Sequence, residues 1–323
     1  MDAGSTRGSR RALAAWKLTV DGVTADVVAG LRDAGVPCLL LRGPAVAERL
    51  YTDGTWRSYS DCDLLVRRDQ LDVADRVMRA HALQALTSER TLPLWQQHAH
   101  NWLVPSHRVG VEVHWTIMHA RDPELLWERF THDPRVLDVA GVPVPAPRDE
   151  VLAVILALHA AQHGHDSTRA HEDLRRAVAM FAPETWRAAS GLADELGAAG
   201  AFAAGLRLIP TGVTLADELG LSVRHPFEVA LTSGGRRSGA GDVERFLRAP
   251  SLRARVGVVL ETLVPAPALM RHRRPIAGRG RAGLAIAYLL QPVHVVRRLA
   301  PGVRAWRELR RLSRSEEDPP PER

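Results

Sequence analysis

The sequence predicts an α+β protein, with strands and helices mixed in its N-terminal half and helices alone in its C-terminal half. Two patterns carry this. Short apolar runs, Cys38–Leu41 and Leu64–Val66, lie between helix-period segments early in the chain. After the proline-rich stretch Val142–Pro147, apolar residues recur only at helix spacing. Size agrees: 323 residues suit two compact units. A composition of 46% apolar and 25% charged residues is globular and not disordered. With aromatics at only 5%, Leu, Val and Ala must fill the core.

The elements follow in order. Residues 1–17 read as a disordered lead-in. From Leu18, the spacing of Val20, Val23, Val27, Val28 and Leu31 predicts a helix that Gly35 stops. Cys38–Leu41 suits a strand buried on both faces. Pro44, well placed in a first turn, opens a helix to Tyr51, and Thr52–Ser60 is a polar loop. Asp61–Val66 is a second strand. Arg67–Leu83 is helical, with Leu71, Ala74, Val77 and Met78 on one face. Asn101–Pro105 and Val109–Ile117 predict a hairpin, with Val111, Val113 and Trp115 on one face and Glu112, His114 and Thr116 on the other. Leu137–Pro147 reads as a short strand-like piece followed by a proline-rich joint, which sets the boundary between a domain at 18–147 and a helical domain at 148–314. Helices are expected at 150–163, 171–181, 183–196, 198–208 and 214–219. Residues 234–241 read as a mobile loop and 315–323 as a disordered tail.

Charge narrows the function. Lysine and arginine total 43 against 37 acidic residues, and Lys17 is the single lysine. Such an arginine bias reflects a GC-rich genome as readily as phosphate binding. The basic residues concentrate late, at Arg236-Arg237 and from Arg271 to Arg314, where an anionic partner or a membrane surface would fit, although a net +6 requires neither. No apolar run reaches the ~18–20 residues of a membrane span. The best stretch, Ala282–Val296, contains Gln291, Pro292 and His294. The N-terminus has neither a signal peptide nor an anchor pattern. Two cysteines make no disulfide framework, so a reducing, cytoplasmic location is expected.

The sharpest chemical feature is Asp61-Cys62-Asp63 at a strand start. Residues i and i+2 of a strand share a face, so two carboxylates stand side by side. Their repulsion is relieved by a cation, and a hard divalent ion suits oxygen ligands. A bare Asp-x-Asp is more often a solvated strand start. Here, however, a strand ending in Leu41-Arg42-Gly43 runs straight into a helix upstream. Such a glycine lets backbone approach a phosphate. Downstream, Glu112 lies mid-strand on the polar face.

Leu39–Ala45, then Arg57 four residues before Asp61–Val66, then Val111-Glu112-Val113-His114-Trp115, together resemble the uncharacterised nucleotidyltransferase family of the polymerase-β-like superfamily. His159, His163-Gly164, the Asp173-Leu174 helix and Pro265–Arg271 continue the resemblance. It implies a small mixed sheet flanked by helices, then a helical C-terminal domain. The implied chemistry moves a nucleoside monophosphate from a nucleoside triphosphate to a hydroxyl of an acceptor, releasing pyrophosphate. One or two magnesium ions would sit on the catalytic residues Asp61, Asp63 and Glu112. The nucleotide would meet Arg42, Gly43, Pro44 and Arg57, and the acceptor His114, His163 and Asp173. Pro44 stands where the superfamily usually has serine or glycine, which removes one N–H donor, and Arg42 stands where relatives often carry lysine.

Other chemistry is weaker. His159 and His163 are spaced for zinc but lack the glutamate of a metalloprotease helix, which favours packing or acceptor contact. His98, His100 and His107 read equally as acceptor-pocket or surface residues. No nucleophile elbow, Walker A loop or dinucleotide fingerprint is present. Basic residues are not interleaved with aromatics, so no stable nucleic-acid complex is expected. The alternative to an enzyme is a catalytically silent nucleotide- or protein-binding accessory factor.

Overall fold

The structure, a computed structural model, describes residues 3–86, 98–222, 231 and 239–317. Helix α1 (Ala3–Asp33) leads into β1 (Cys38–Leu40), α2 (Pro44–Leu50) and β2 (Asp61–Val66). Then come α3 (Leu71–Ala80), β3 (Gln84–Ala85), β4 (Ala99–Val104) and β5 (Val109–His114). Helix α4 (Pro123–Thr131) precedes β6 (Arg135–Val139) and β7 (Val142–Ala146). The remaining helices are α5 (Asp149–His163), α6 (Thr168–Met180), α7 (Pro183–Glu195), α8 (Ala199–Leu206), α9 (Pro210–Glu218), α10 (Ala240–Arg248), α11 (Leu252–Leu263), α12 (Pro267–Arg273) and α13 (Gly280–Glu317).

Five strands form one sheet in the order β1-β2-β5-β4-β3. The β2–β5 pair is parallel, and the other pairs are antiparallel. This is the mixed α+β arrangement that the resemblance implied, with a helical C-terminal region. One sheet face carries Cys62, Leu64, Val66, Val111, Val113 and Trp102. It is covered by Val20, Val23, Val27 and Leu31 of α1 and by Ala74, Val77 and Met78 of α3. Strand alternation turns the intervening residues to the opposite face.

Three expectations change. The lead-in expected over 1–17 is helical from Ala3, because Arg11–Lys17, rich in alanine and free of glycine and proline, continues the helix pattern backward. The proline-rich joint is strand β7, paired with β6. Its prolines alternate at Pro143 and Pro145, opposite Asp138 and Val136, so their missing N–H groups fall on the same side of the strand, as a strand that pairs on one side tolerates. The Ala140-Gly141 turn between the two strands has positive φ at both residues, as a tight hairpin needs. The tail expected at 315–323 is helical to Glu317, and residues 318–323 lie outside the described residues. So does most of the loop expected at 234–241, since α10 begins at Ala240.

The described residues group into two compact units. The first takes those of 1–85, 98–155 and 179–196, and the second Leu86 and those of 156–178 and 197–323. The first unit thus keeps α7 and the start of α5, beyond the boundary expected at 147. Within the second unit, α8 meets α5 closely. A Cβ on Gly205 would lie 1.9 Å from the Ala157 carbonyl oxygen, so only glycine fits there.

Candidate active site

The parallel pairing of β2 with β5 sets Asp63 opposite Glu112, and β4 adds Asn101 opposite Glu112. Asp63, Glu112 and Asn101 therefore form a row across three strands on the face turned away from α1 and α3. The row on one side holds Asp61 opposite Gly110, and the row on the other holds Leu65, His114 and Ala99. The predicted alternation in both strands holds, with Cys62, Leu64, Val111 and Val113 in the core and the acidic residues opposite.

Asp63 is 2% exposed. Two cations from the chain itself meet it. Arg42, just past β1, donates from Nε to Oδ2 at 3.0 Å and from Nη2 to Oδ1 at 2.6 Å. His114 Nε2 lies 3.4 Å from Asp63 Oδ1 and 3.4 Å from Glu112 Oε2. Burial alone would raise the Asp63 pKa, but Arg42 and His114 outweigh it and hold the carboxyl well below its usual range. Glu112 is lowered likewise, mainly by His114 against the cost of burial. Against its own burial, His114 is pushed up to about 9 by Asp63 and Glu112. The carboxylate repulsion expected from sequence is thus compensated from within the chain.

A carboxylate oxygen of Asp63, one of Glu112 and a His114 nitrogen lie within 4.8 Å of one another. Two hard oxygen donors and an imidazole fit a divalent cation, magnesium by the oxygens and manganese or zinc by the full set. Asp61 is outside this group. It shares the strand face with Asp63, and its charge acts on Arg42.

The Gly43 turn lies beside this row. Gly43 has φ +58, which glycine adopts freely. The buried Arg57 donates to its carbonyl at 3.4 Å. Pro44 has no N–H, and the Ala45 N–H bonds to the Arg42 carbonyl, so the first turn of α2 offers fewer free donors than the phosphate reading assumed. Helix α1 braces this turn. Tyr59 Oη donates to Asp21 Oδ1 at 2.5 Å, Lys17 pairs with the other Asp21 oxygen, and Trp16 Nε1 donates to the Tyr59 carbonyl at 3.0 Å. The Tyr59 ring lies against Gly43.

The histidines separate. His98 stacks obliquely on His114 at 5.5 Å. His100 turns to the opposite sheet face and bonds Asp75 of α3 at 2.9 Å. His107 lies in the β4–β5 turn, where it lines a groove against α1 with His81. His114 belongs to the first unit, whereas His163 and the fully buried Asp173 belong to the second. His163 sits 4.4 Å from His159, ring to ring, as an i, i+4 pair.

Sequence reasoning missed Asn101, Tyr59 and Asp21. Asn101 becomes visible only once the β4–β5 register is known. A polar residue in the apolar run of α1 was the signal for Asp21.

A family model described as an uncharacterised nucleotidyltransferase matches residues 6–211. Among solved structures, the solution structure of the antibiotic-resistance factor ANT(2'')-Ia is similar at a TM-score of 0.41 and 13% identity, over 55% of this chain and 92% of that one. The crystal structure of an antigenic nucleotidyltransferase-like protein from Paracoccidioides brasiliensis is similar at a TM-score of 0.34 and 15% identity, over 58% and 92%. No curated protein matches the chain.

Proposed function

The chain belongs to the uncharacterised nucleotidyltransferase family, and from that premise we propose that it is a metal-dependent nucleotidyltransferase. It would move a nucleoside monophosphate from a nucleoside triphosphate to a hydroxyl of an acceptor, with residues 18–147 carrying the catalysis. The hydroxyl oxygen attacks the α-phosphorus, the bond to the bridging oxygen of the β-phosphate breaks, and pyrophosphate leaves.

The row of Asp63 and Glu112 on adjacent strands, with Asp61 on the same face, carries this reading. These three carboxylates would hold one or two magnesium ions. Bound there, such ions lower the pKa of the attacking hydroxyl and neutralise charge on the transferring phosphate. Arg42 would turn from Asp63 toward the triphosphate once a cation takes over the carboxylate. Gly43 and Pro44 would face the phosphates without a side-chain barrier, and Arg57 would hold the turn and add charge beside them. His114 would return a nitrogen to the metal or the acceptor.

A second reading is favoured by one observation. Pro44 and the engaged Ala45 N–H leave the phosphate turn short of donors, which suits an accessory protein that binds nucleotide without turning it over. Pyrophosphate release separates the two. The purified chain with magnesium and each of the four ribonucleoside triphosphates should release pyrophosphate when offered a pool of hydroxyl-bearing metabolites. Triphosphate binding with no release under any pool would favour the accessory reading.

A further inference from the structure

The second unit carries a feature that nucleotidyl transfer does not use. On α13, Ile286, Leu289, Val293 and Val296 recur at alternating three- and four-residue steps and all are exposed. Leu289 is 78% exposed and Val296 68%. The opposite side of the helix is the one that packs: Ala287 joins Met270 and Ala277 in a small cluster, Gln291 donates to the Thr262 carbonyl, and Trp306 Nε1 donates to the buried Glu244. The outer stripe thus faces away from the helix's own contacts. Helix α11 exposes a second aliphatic set, Leu252, Val256 and Leu260, and Val264 just past its end is exposed too.

Arginines surround these stripes. Residues 252–311 contain thirteen arginines and only two glutamates, Glu261 and Glu308. That excess is larger than the +6 of the whole chain, so the rest of the protein is net acidic. Arg279 and Arg281 precede the α13 stripe, and Arg297 and Arg298 flank it. Beyond Ala300, the same helical spacing continues as Arg304, Arg307 and Arg311, all exposed.

We propose that the outer face of α13, from Ile286 to Ala300 with its surrounding arginines, docks flat on an anionic lipid surface. Aliphatic side chains would enter the boundary between headgroups and acyl chains, and the arginines would pair with headgroup phosphates. Charge decides the occupant. A second copy would bring one arginine-rich face against another, and a nucleic acid would leave the aliphatic stripe against water-facing phosphates. A bilayer with anionic lipid answers both halves of the pattern. The stripe spans ~21 Å at 1.5 Å per residue, which lies along a surface and does not cross it; no helix among the described residues is long and apolar enough to cross. The inference is independent of the nucleotidyl-transfer reading.

The test is vesicle sedimentation of the full chain. Vesicles of phosphatidylcholine containing about one-third phosphatidylglycerol should bind it at least ~10-fold more tightly than phosphatidylcholine alone. The double variant Leu289→Asp/Val296→Asp should lose ~10-fold or more of that binding with unchanged helical circular dichroism. The gentler Leu289→Gln should lose part of it, which keeps the test decisive if the double variant misfolds. Arg304→Gln/Arg307→Gln should weaken binding most at low salt. Equal binding to both vesicle types would overturn the proposal. So would aspartate variants that bind like the parent, duplex DNA binding that those variants leave intact while vesicles fail to bind, or a dimer that they dissolve in the absence of vesicle binding.

Discussion

Arg42 grips both carboxylate oxygens of Asp63, at 3.0 and 2.6 Å, from just past the end of the neighbouring strand β1. The pair sits at the β2 end of the row that continues through Glu112, and Asp63 is almost wholly buried. The strongest carboxylate of the candidate metal site is therefore also a structural ion pair, and these two roles separate experimentally.

Arg42→Ala leaves a buried carboxylate facing His114, and should destabilise the chain by about 3 kcal/mol. Arg42→Lys should restore little, because one ammonium does not span both oxygens. The double variant Arg42→Ala/Asp63→Ala should lose less than the sum of its parts. Urea denaturation near neutral pH reads all three. Additive losses would mean that the ion pair contributes nothing of its own.

How far the sequence reveals this site depends on what is local. Strand β2 is legible to the residue, because Asp61–Val66 alternates cleanly and its neighbours are loop and helix. That Glu112 comes to stand opposite Asp63 is a matter of the β2–β5 register, which neither strand's own pattern states. The bond from Arg42 to Asp63 was not legible, because the approach of the β1 end to β2 is a matter of register that no local pattern encodes. The prolines of β7 misled because a proline pair reads as a break; only their two-residue spacing, matched to the free side of a ribbon, makes them compatible with a strand.

His119 should give the fold an acid-sensitive limb. Burial holds its pKa down to about 4, from an ordinary 6.5, and its Nε2 is buried without a hydrogen-bond partner. The unfolded chain takes up a proton near 6.5 that the folded chain refuses until about 4. The stabilisation is complete above 6.5, falls as the pH drops through that window, and levels off below 4. His119→Asn, which tolerates the positive φ of 77 at this position, should flatten the limb in urea melts between pH 7.5 and 4. Identical pH slopes for the two proteins would contradict it.

Two glycines in helices should respond in opposite directions. Gly205→Ala forces a methyl into the Ala157 carbonyl and should cost roughly 1–3 kcal/mol or more. Gly191→Ala in α7 has nothing within 4 Å of the new methyl and should stabilise by roughly 0.5–1 kcal/mol. Melting temperatures moving the same way in both variants would contradict the contact assigned to Gly205.

The central claim is that the acidic row holds a metal-bound triphosphate. Calorimetric titration with a triphosphate whose α–β bridge is a non-hydrolysable methylene, with and without magnesium, tests it most directly. The account predicts magnesium-dependent binding by the parent, and losses of ~10-fold or more in Asp61→Ala, Asp63→Ala and Glu112→Ala. Binding that ignores magnesium, or that survives unchanged in all three variants, would contradict it.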